Sequence, residues 1–329
     1  MAVMTPQKIA AASAPAPKLK LVAKGGKKDV PLWVVLYSPE GLGKSTFASQ
    51  APAPVFIDVE HGTSQLDVQR LTFDDEGRTT PLSFDEVMLA LRALEVEEHA
   101  FQTVVVDTLD ALEALIHAQV VREAGKPDDI KGIEDFGYGK GYVAALDRWR
   151  LFAAQVERLR LKRGLHVVTL AHSVIKTFKD PASEGWDRYQ MKLHPTAAGL
   201  MKEKAEIVLF GNFEEYAAED KKTKRVRGVS EGARVVHTVH SPAWDAKNRH
   251  GLPEVMPLEW DGFFAATKMH QPAPPEALTA AITALLPQLA DADRKKAESS
   301  LARAGADAEK LAQLLGWVRQ KSTTNKEGA

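Results

Sequence analysis

One stretch constrains the fold more than any other. LWVVLY at 32–37 runs into SPEGLGKST at 38–46, and FASQ then opens a helical pattern. A short apolar run without polar interruption reads as a strand buried on both faces. A glycine-bearing turn between such a strand and a helix aims backbone N–H groups inward around an anion. Gly41 and Gly43 supply the tight part of the turn. Lys44 offers a cation to the β- and γ-phosphates of a nucleotide, and Ser45 a hydroxyl to Mg²⁺. The pattern G-x-x-x-x-G-K-[ST] is broken once, at Ser38, which stands where the first glycine belongs. Ser38, Pro39, Glu40, Gly41, Leu42, Gly43, Lys44, Ser45 and Thr46 are therefore the candidate nucleotide loop, with ATP and Mg²⁺ as the expected cofactors.

Three further apolar runs, VFIDVE (55–60), TVVVDT (103–108) and LHVVTLAH (165–172), alternate with helical spacing at 84–98 and 143–163. This is the signature of an α/β fold with a mainly parallel central sheet. After Ala205 the texture is strand-rich. AEIVLFGNFEEY and ARVVHTVH flank the basic turn KKTKRVRG and read as an antiparallel extension of the sheet. A Pro-rich linker at 269–277 precedes three short helical patterns, the last capped by Asp307, which read as a small helical bundle over 278–321. The expected division is an arm at 1–28, an ATPase domain at 29–268, that linker and bundle, and a disordered tail at 322–329. The arm carries Lys8, Lys18, Lys20, Lys24, Lys27 and Lys28 and no acid. It reads equally as a solvated tail or as a segment that touches DNA.

The chain has no cysteine, which excludes disulfides, thiolate-bound zinc and thiol catalysis. No leader or membrane-length apolar run is legible, so the expected location is cytoplasmic, that of the host if the chain is phage-encoded, with no membrane partner. With a net charge of −1, any nucleic-acid contact must come from a local basic surface.

Asp107 ends a run of three valines, at the carboxyl edge where ligands meet such sheets, and with Ser45 is the candidate metal pair. Taken alone it could simply cap the next helix. Thr108 follows it, so the Asp-Glu pair of many ring and transporter ATPases is missing. That absence argues against the AAA+ and transporter plans, and it calls for a catalytic carboxylate from elsewhere. Glu60 can orient a water against the γ-phosphate. Without the neighbouring loop, a solvated strand-end acid is its plainer reading. No N-K-x-D guanine signature is present.

FIDVEHG (56–62) resembles the strand-end motif of RecA, in which the Glu is the catalytic carboxylate, and VVVDT resembles the RecA Walker B strand. His172 stands where RecA has a Gln that senses the γ-phosphate. IEDFGYGKGY (133–142), LAHS (170–173), DRYQMKLH (187–194) and DAKNRHGLPE (245–254) are similar to phage-encoded RecA-like ATP-binding proteins, including single-strand annealing recombinases. The resemblance covers about 25–265 and implies a RecA-like P-loop NTPase core. It implies that two loops, 130–142 and 173–198, face single-stranded DNA. The first holds Tyr138, Lys140 and Tyr142; the second holds Lys176, Lys179, Arg188, Tyr189 and Lys192. Glycines, cations and aromatic faces suit a sequence-tolerant strand site, although such loops also serve as plain connections. The resemblance further implies that Lys247 and Arg249 reach a neighbour's ATP, against a surface ion pair as the bland reading. Lys221, Lys222, Lys224, Arg225 and Arg227 read as a solvated hairpin tip, with phosphate binding second. The function expected is ATP-driven annealing or strand exchange on single-stranded DNA, in a self-associated ring or filament, with a phage single-strand-binding protein as a further partner. The alternatives are a DNA motor or helicase, and a nucleotide switch whose helical tail recruits a protein.

Overall fold

The computed structural model describes residues 30–126, 128–178, 185–219, 226–268 and 275–327. The expected basic arm, Lys179 and the turn residues Lys221, Lys222, Lys224 and Arg225 lie outside them.

The strands form where the apolar runs predict them: β1 (Trp33–Ser38), β2 (Pro54–Asp58), β4 (Thr103–Asp107) and the first half of β5 (His166–Phe178). A two-residue strand, β3 (Gln69–Arg70), borders β2. β6 (Trp186–Met191), β7 (Ile207–Glu219), β8 (Val226–His237) and β9 (Val255–Pro257) complete the sheet. Its order is β3-β2-β4-β5-β1-β7-β8-β9, with β6 paired to β5. β1 is parallel to both β5 and β7, and the antiparallel extension begins only between β7 and β8.

Side-chain alternation sorts each strand's residues onto two faces. Trp33, Val35 and Tyr37 join Val104, Val106 and Val167 in one core. That core is covered by α2 (Phe84–Val96), α3 (Leu109–Glu123), α4 (Lys140–Arg158) and α5 (Pro195–Lys204). Val34, Leu36, Val105 and Val168 form the other core, with α1 (Lys44–Ser49) and α6 (Trp260–Ala266) over it. Both faces are dry, which is why the strands read as continuous apolar runs. α7 (Pro275–Leu285), α8 (Asp291–Ala304) and α9 (Ala308–Glu327) share a separate core around Leu278, Ile282, Leu311, Leu315 and Val318. α9 continues to Glu327, through the stretch read as a disordered tail. Among the described residues no helix is long and apolar enough to cross a membrane.

His166 opens β5 inside the protein. Its Nδ1 accepts the Leu32 backbone N–H at 2.9 Å, and Phe264 meets its ring edge-on. Burial, with Arg160 adding to it, pushes the imidazole down to about 4. The unfolded chain therefore takes up a proton near pH 6.5 that the folded chain refuses, so stability is complete above that pH and drains as pH falls toward 4. The loss expected is about 3 kcal/mol. In His166→Asn, whose carbonyl can take the same N–H, urea midpoints at pH 7 and pH 4.5 should differ by less than in the wild type. An unchanged difference would assign the acid sensitivity to other groups.

Candidate nucleotide site

The phosphate loop sits at the carboxyl edge of β1. Ser38 is fully buried, and its hydroxyl donates to the Pro39 carbonyl at 2.8 Å. The departure from the glycine pattern is met on the neighbouring strand. A Cβ on Gly211 of β7 would lie 3.2 Å from the Ser38 Cβ and 2.5 Å from the Leu42 Cδ2. Gly211 thus opens the room that Ser38 and the buried Leu42 fill. Gly41 and Gly43 take φ of +74° and +102°, which side chains strain to adopt. A Cβ on Gly43 would come within 2.8 Å of the Arg234 Nη1, the movable end of an exposed side chain, so it is the φ that reserves this position for glycine. Glu40, Gly41 and Thr46 are exposed at the rim. Lys44 opens α1, and its Nζ lies 3.3 Å from the Pro39 carbonyl. Burial lowers its pKa, and Asp107, Asp110, Glu60 and Glu40 oppose that.

Ser45 and Asp107 are 62 positions apart in the chain, and the Ser45 hydroxyl donates to the Asp107 Oδ2 at 2.6 Å. Burial pushes the Asp107 carboxyl up to about 6. Its hydrogen bond from Ser45 opposes this, and the charges of Asp58 and Glu60 add to it. A hydroxyl and a carboxylate crowded among acids are hard oxygen donors, so this pair fits Mg²⁺. The bare glycine cradle and buried ammonium fit a nucleotide's phosphates.

Glu60 follows β2, and its backbone N–H donates to the Asp107 carbonyl at 3.0 Å. Its side chain is 41% exposed and faces His172, with 3.9 Å between Oε1 and Nε2. β5 lies between β4 and β1, so His172 comes level with Ser38. Asp110, on the first turn of α3, fixes that imidazole. Oδ1 accepts the His172 backbone N–H and Oδ2 pairs with Nδ1, each at 2.9 Å. Burial works against ionisation of Asp110, but the His172 bonds outweigh it and hold the carboxyl below its usual range. Glu60, Asp110 and His172 each bring a ligand-type atom within 4.8 Å of the others. With Nδ1 committed to Asp110, the open side of the cluster is the Glu60 carboxylate and the His172 Nε2. Asp58 is spent on the turn: it accepts from the backbone N–H groups of Gly62 and Thr63 and from the Thr63 hydroxyl.

A second cluster lies along α3. Glu113 accepts the His194 backbone N–H at 3.0 Å. The His194 ring stacks on Tyr142, with centroids 3.9 Å apart and planes 12° apart. Tyr142, His194, His117, Lys176 and Lys192 line a cavity of about 310 Å³. Tyr138 and Lys140 are exposed nearby in sequence, but they do not line it.

Several expected site residues have other employment. The loop 130–142 is folded: Asp135 accepts from the Lys131 and Gly132 N–H groups, and Ile133 packs on Gly141, where a Cβ would meet the Ile133 carbonyl at 2.2 Å. The stretch 173–198 is a β5–β6 hairpin followed by α5, with residues 179–184 undescribed. Arg188 is buried and bonds Asp245 at 2.8 Å, a carboxylate that it shares with Lys202. Tyr189 packs against Phe210, with centroids 4.8 Å apart. Tyr189 is half-buried there. Lys247 donates to the carbonyls of Lys202, Glu203 and Ala205, closing the C-terminus of α5 at 2.9, 2.8 and 2.6 Å. Lys247 is thus engaged within its own subunit. Only Arg249 of that pair is exposed.

Sequence reading missed Asp110 as the partner of His172, Glu113 as that of His194, and Arg234 at the loop. Asp110 had a faint signal, an acid three residues past a strand-end Asp. Arg234 had none beyond its alternation with Val236.

No curated protein matches the chain. The family model described as an AAA domain matches residues 31–250. The match supports the P-loop ATPase-type domain expected from the sequence. The chain belongs to this AAA domain family, and residues 31–250 are its P-loop ATPase-type domain.

Proposed function

We propose that the protein is a RecA-like, Mg²⁺-dependent ATPase, phage-encoded and self-associating, that acts on single-stranded DNA in annealing or strand exchange. One observation carries the link between nucleotide and strand. Asp110, Glu113 and His117 lie on one face of α3, three and four positions apart. The first holds His172, the second holds the His194 backbone, and the third lines the Tyr142 cavity. The Lys192 N–H also donates to the His172 carbonyl at 2.8 Å. Residues from both sequence regions read as strand-facing thus meet at a cavity that shares a helix with the γ-phosphate side of the loop.

In this reading the loop N–H groups and Lys44 bind and orient the phosphates. Glu60 holds the attacking water and accepts its proton. His172, its tautomer set by Asp110, places Nε2 beside that carboxylate. Ser45 and Asp107 would hold Mg²⁺, which would neutralise charge at the phosphate oxygens. Lys176 and Lys192 meet backbone phosphates, and the Tyr142–His194 stack offers a face to a base.

The test is binding of a fluorescent oligothymidylate across a salt series. Lys176→Ala with Lys192→Ala should weaken binding and lower the log–log salt slope by roughly 1.4. Tyr142→Ala should weaken binding about tenfold with little change of slope. Wild-type binding in all of these variants would contradict the strand site. Salt-independent absence of binding by the wild type would favour a nucleotide switch, and unwinding coupled to turnover would favour a motor.

A further inference from the structure

Arg234 reaches the phosphate loop from β8. Val236, two residues on, is buried with Leu36, Phe47 and Ala48 on the α1 side of the sheet. Alternation puts Arg234 on the same side. Its strand partner is Phe213, two residues beyond the Gly211 that underlies Leu42, so it stands at the level of the loop itself. A Cβ built on Gly43 would lie 2.8 Å from the Arg234 Nη1, 3.8 Å from its Cζ and 4.0 Å from the Thr46 Cβ. The guanidinium therefore leans over the foot of the loop, where α1 begins. Arg234 is exposed, and among the described residues its side chain has no hydrogen bond or ion pair. A planar fork of five donors, held beside a backbone that can cradle an anion, is a match for phosphate oxygens.

We infer that Arg234 is a phosphate-binding residue of this site, acting in cis and in addition to Lys44. The inference rests on the nucleotide reading of the loop. The contact is with the part of the phosphate chain common to ATP and ADP. Arg234 stands at Gly43 and Thr46, whereas Glu60 past the end of β2, His172 on β5 and Asp110 on α3 form a separate cluster. Arg234 thus contributes to holding the nucleotide rather than to cleaving it. Any side chain at Gly43 would displace the guanidinium.

The experiment measures equilibrium binding of fluorescent ADP and ATP, displacement of each by inorganic pyrophosphate, and steady-state turnover. It compares the wild type, Arg234→Ala, Arg234→Lys and Lys44→Ala, each confirmed as folded by its thermal midpoint. Arg234→Ala should weaken ADP, ATP and pyrophosphate alike by about tenfold or more. KM should rise in step while kcat stays within about threefold, because the contact is the same in ground and transition states. Arg234→Lys should recover part of the affinity, since charge returns without the fork. Wild-type ADP and pyrophosphate affinity in Arg234→Ala, beside lost affinity in Lys44→Ala, would overturn the role of Arg234 and leave the loop reading standing. Undiminished affinity in Lys44→Ala as well would overturn both.

Discussion

Lys44→Ala is expected to reduce ATP turnover by about 10³-fold or more while leaving the protein folded. Removing a preorganised charge from the reacting phosphates costs this much in comparable sites. The Lys44 residue is only 6% exposed, and its pKa is lowered by burial, so the charge is partly desolvated and unusually effective. Its contact with the fold is slight, a hydrogen bond to the Pro39 carbonyl at 3.3 Å. The thermal midpoint should therefore shift by no more than a few degrees. Turnover near wild type in a variant with an unchanged midpoint would remove the loop from the chemistry.

The elements that hold this lysine were legible in the chain because each is local. An apolar run between glycines and a helix start declares β1 and its loop, and valines ending in Asp107 declare β4. What escaped depends on partners far away in sequence. Arg188 is paired with Asp245, 57 positions on. Lys247 closes a helix end 42 to 45 positions before it. Asp110 could be read as an acid favoured on a first helical turn until β5 brings His172 beside it, 62 positions later. The β5–β6 hairpin escaped for a different reason. In SVIKTF (173–178) Val174 stands next to Ile175 and Lys176 next to Thr177, so no alternation of polar and apolar residues marks it as a half-exposed strand, and only its pairing with β6 makes it one. The missing loop glycine was the least legible feature, because Gly211 restores the space from another strand.

Glu60→Gln carries the second large effect. Its carboxylate is the open acid of the cluster, since Asp58 is bound into the turn at 58–63 and Asp110 is held by His172. The amide keeps the size of the side chain but cannot take a proton from water. Chemistry should slow by about 10²–10⁴-fold, the range of general base catalysis. Nucleotide affinity should stay within about threefold, because Ser45, Asp107 and Lys44 are untouched. The most direct measurement is a single turnover: enzyme in excess over labelled ATP with Mg²⁺, with bound nucleotide and released phosphate followed in the same sample. The account predicts that Glu60→Gln retains ATP on the protein unhydrolysed, over a time in which the wild type converts all of it. Hydrolysis by Glu60→Gln at the wild-type rate, with ATP demonstrably bound, would contradict it.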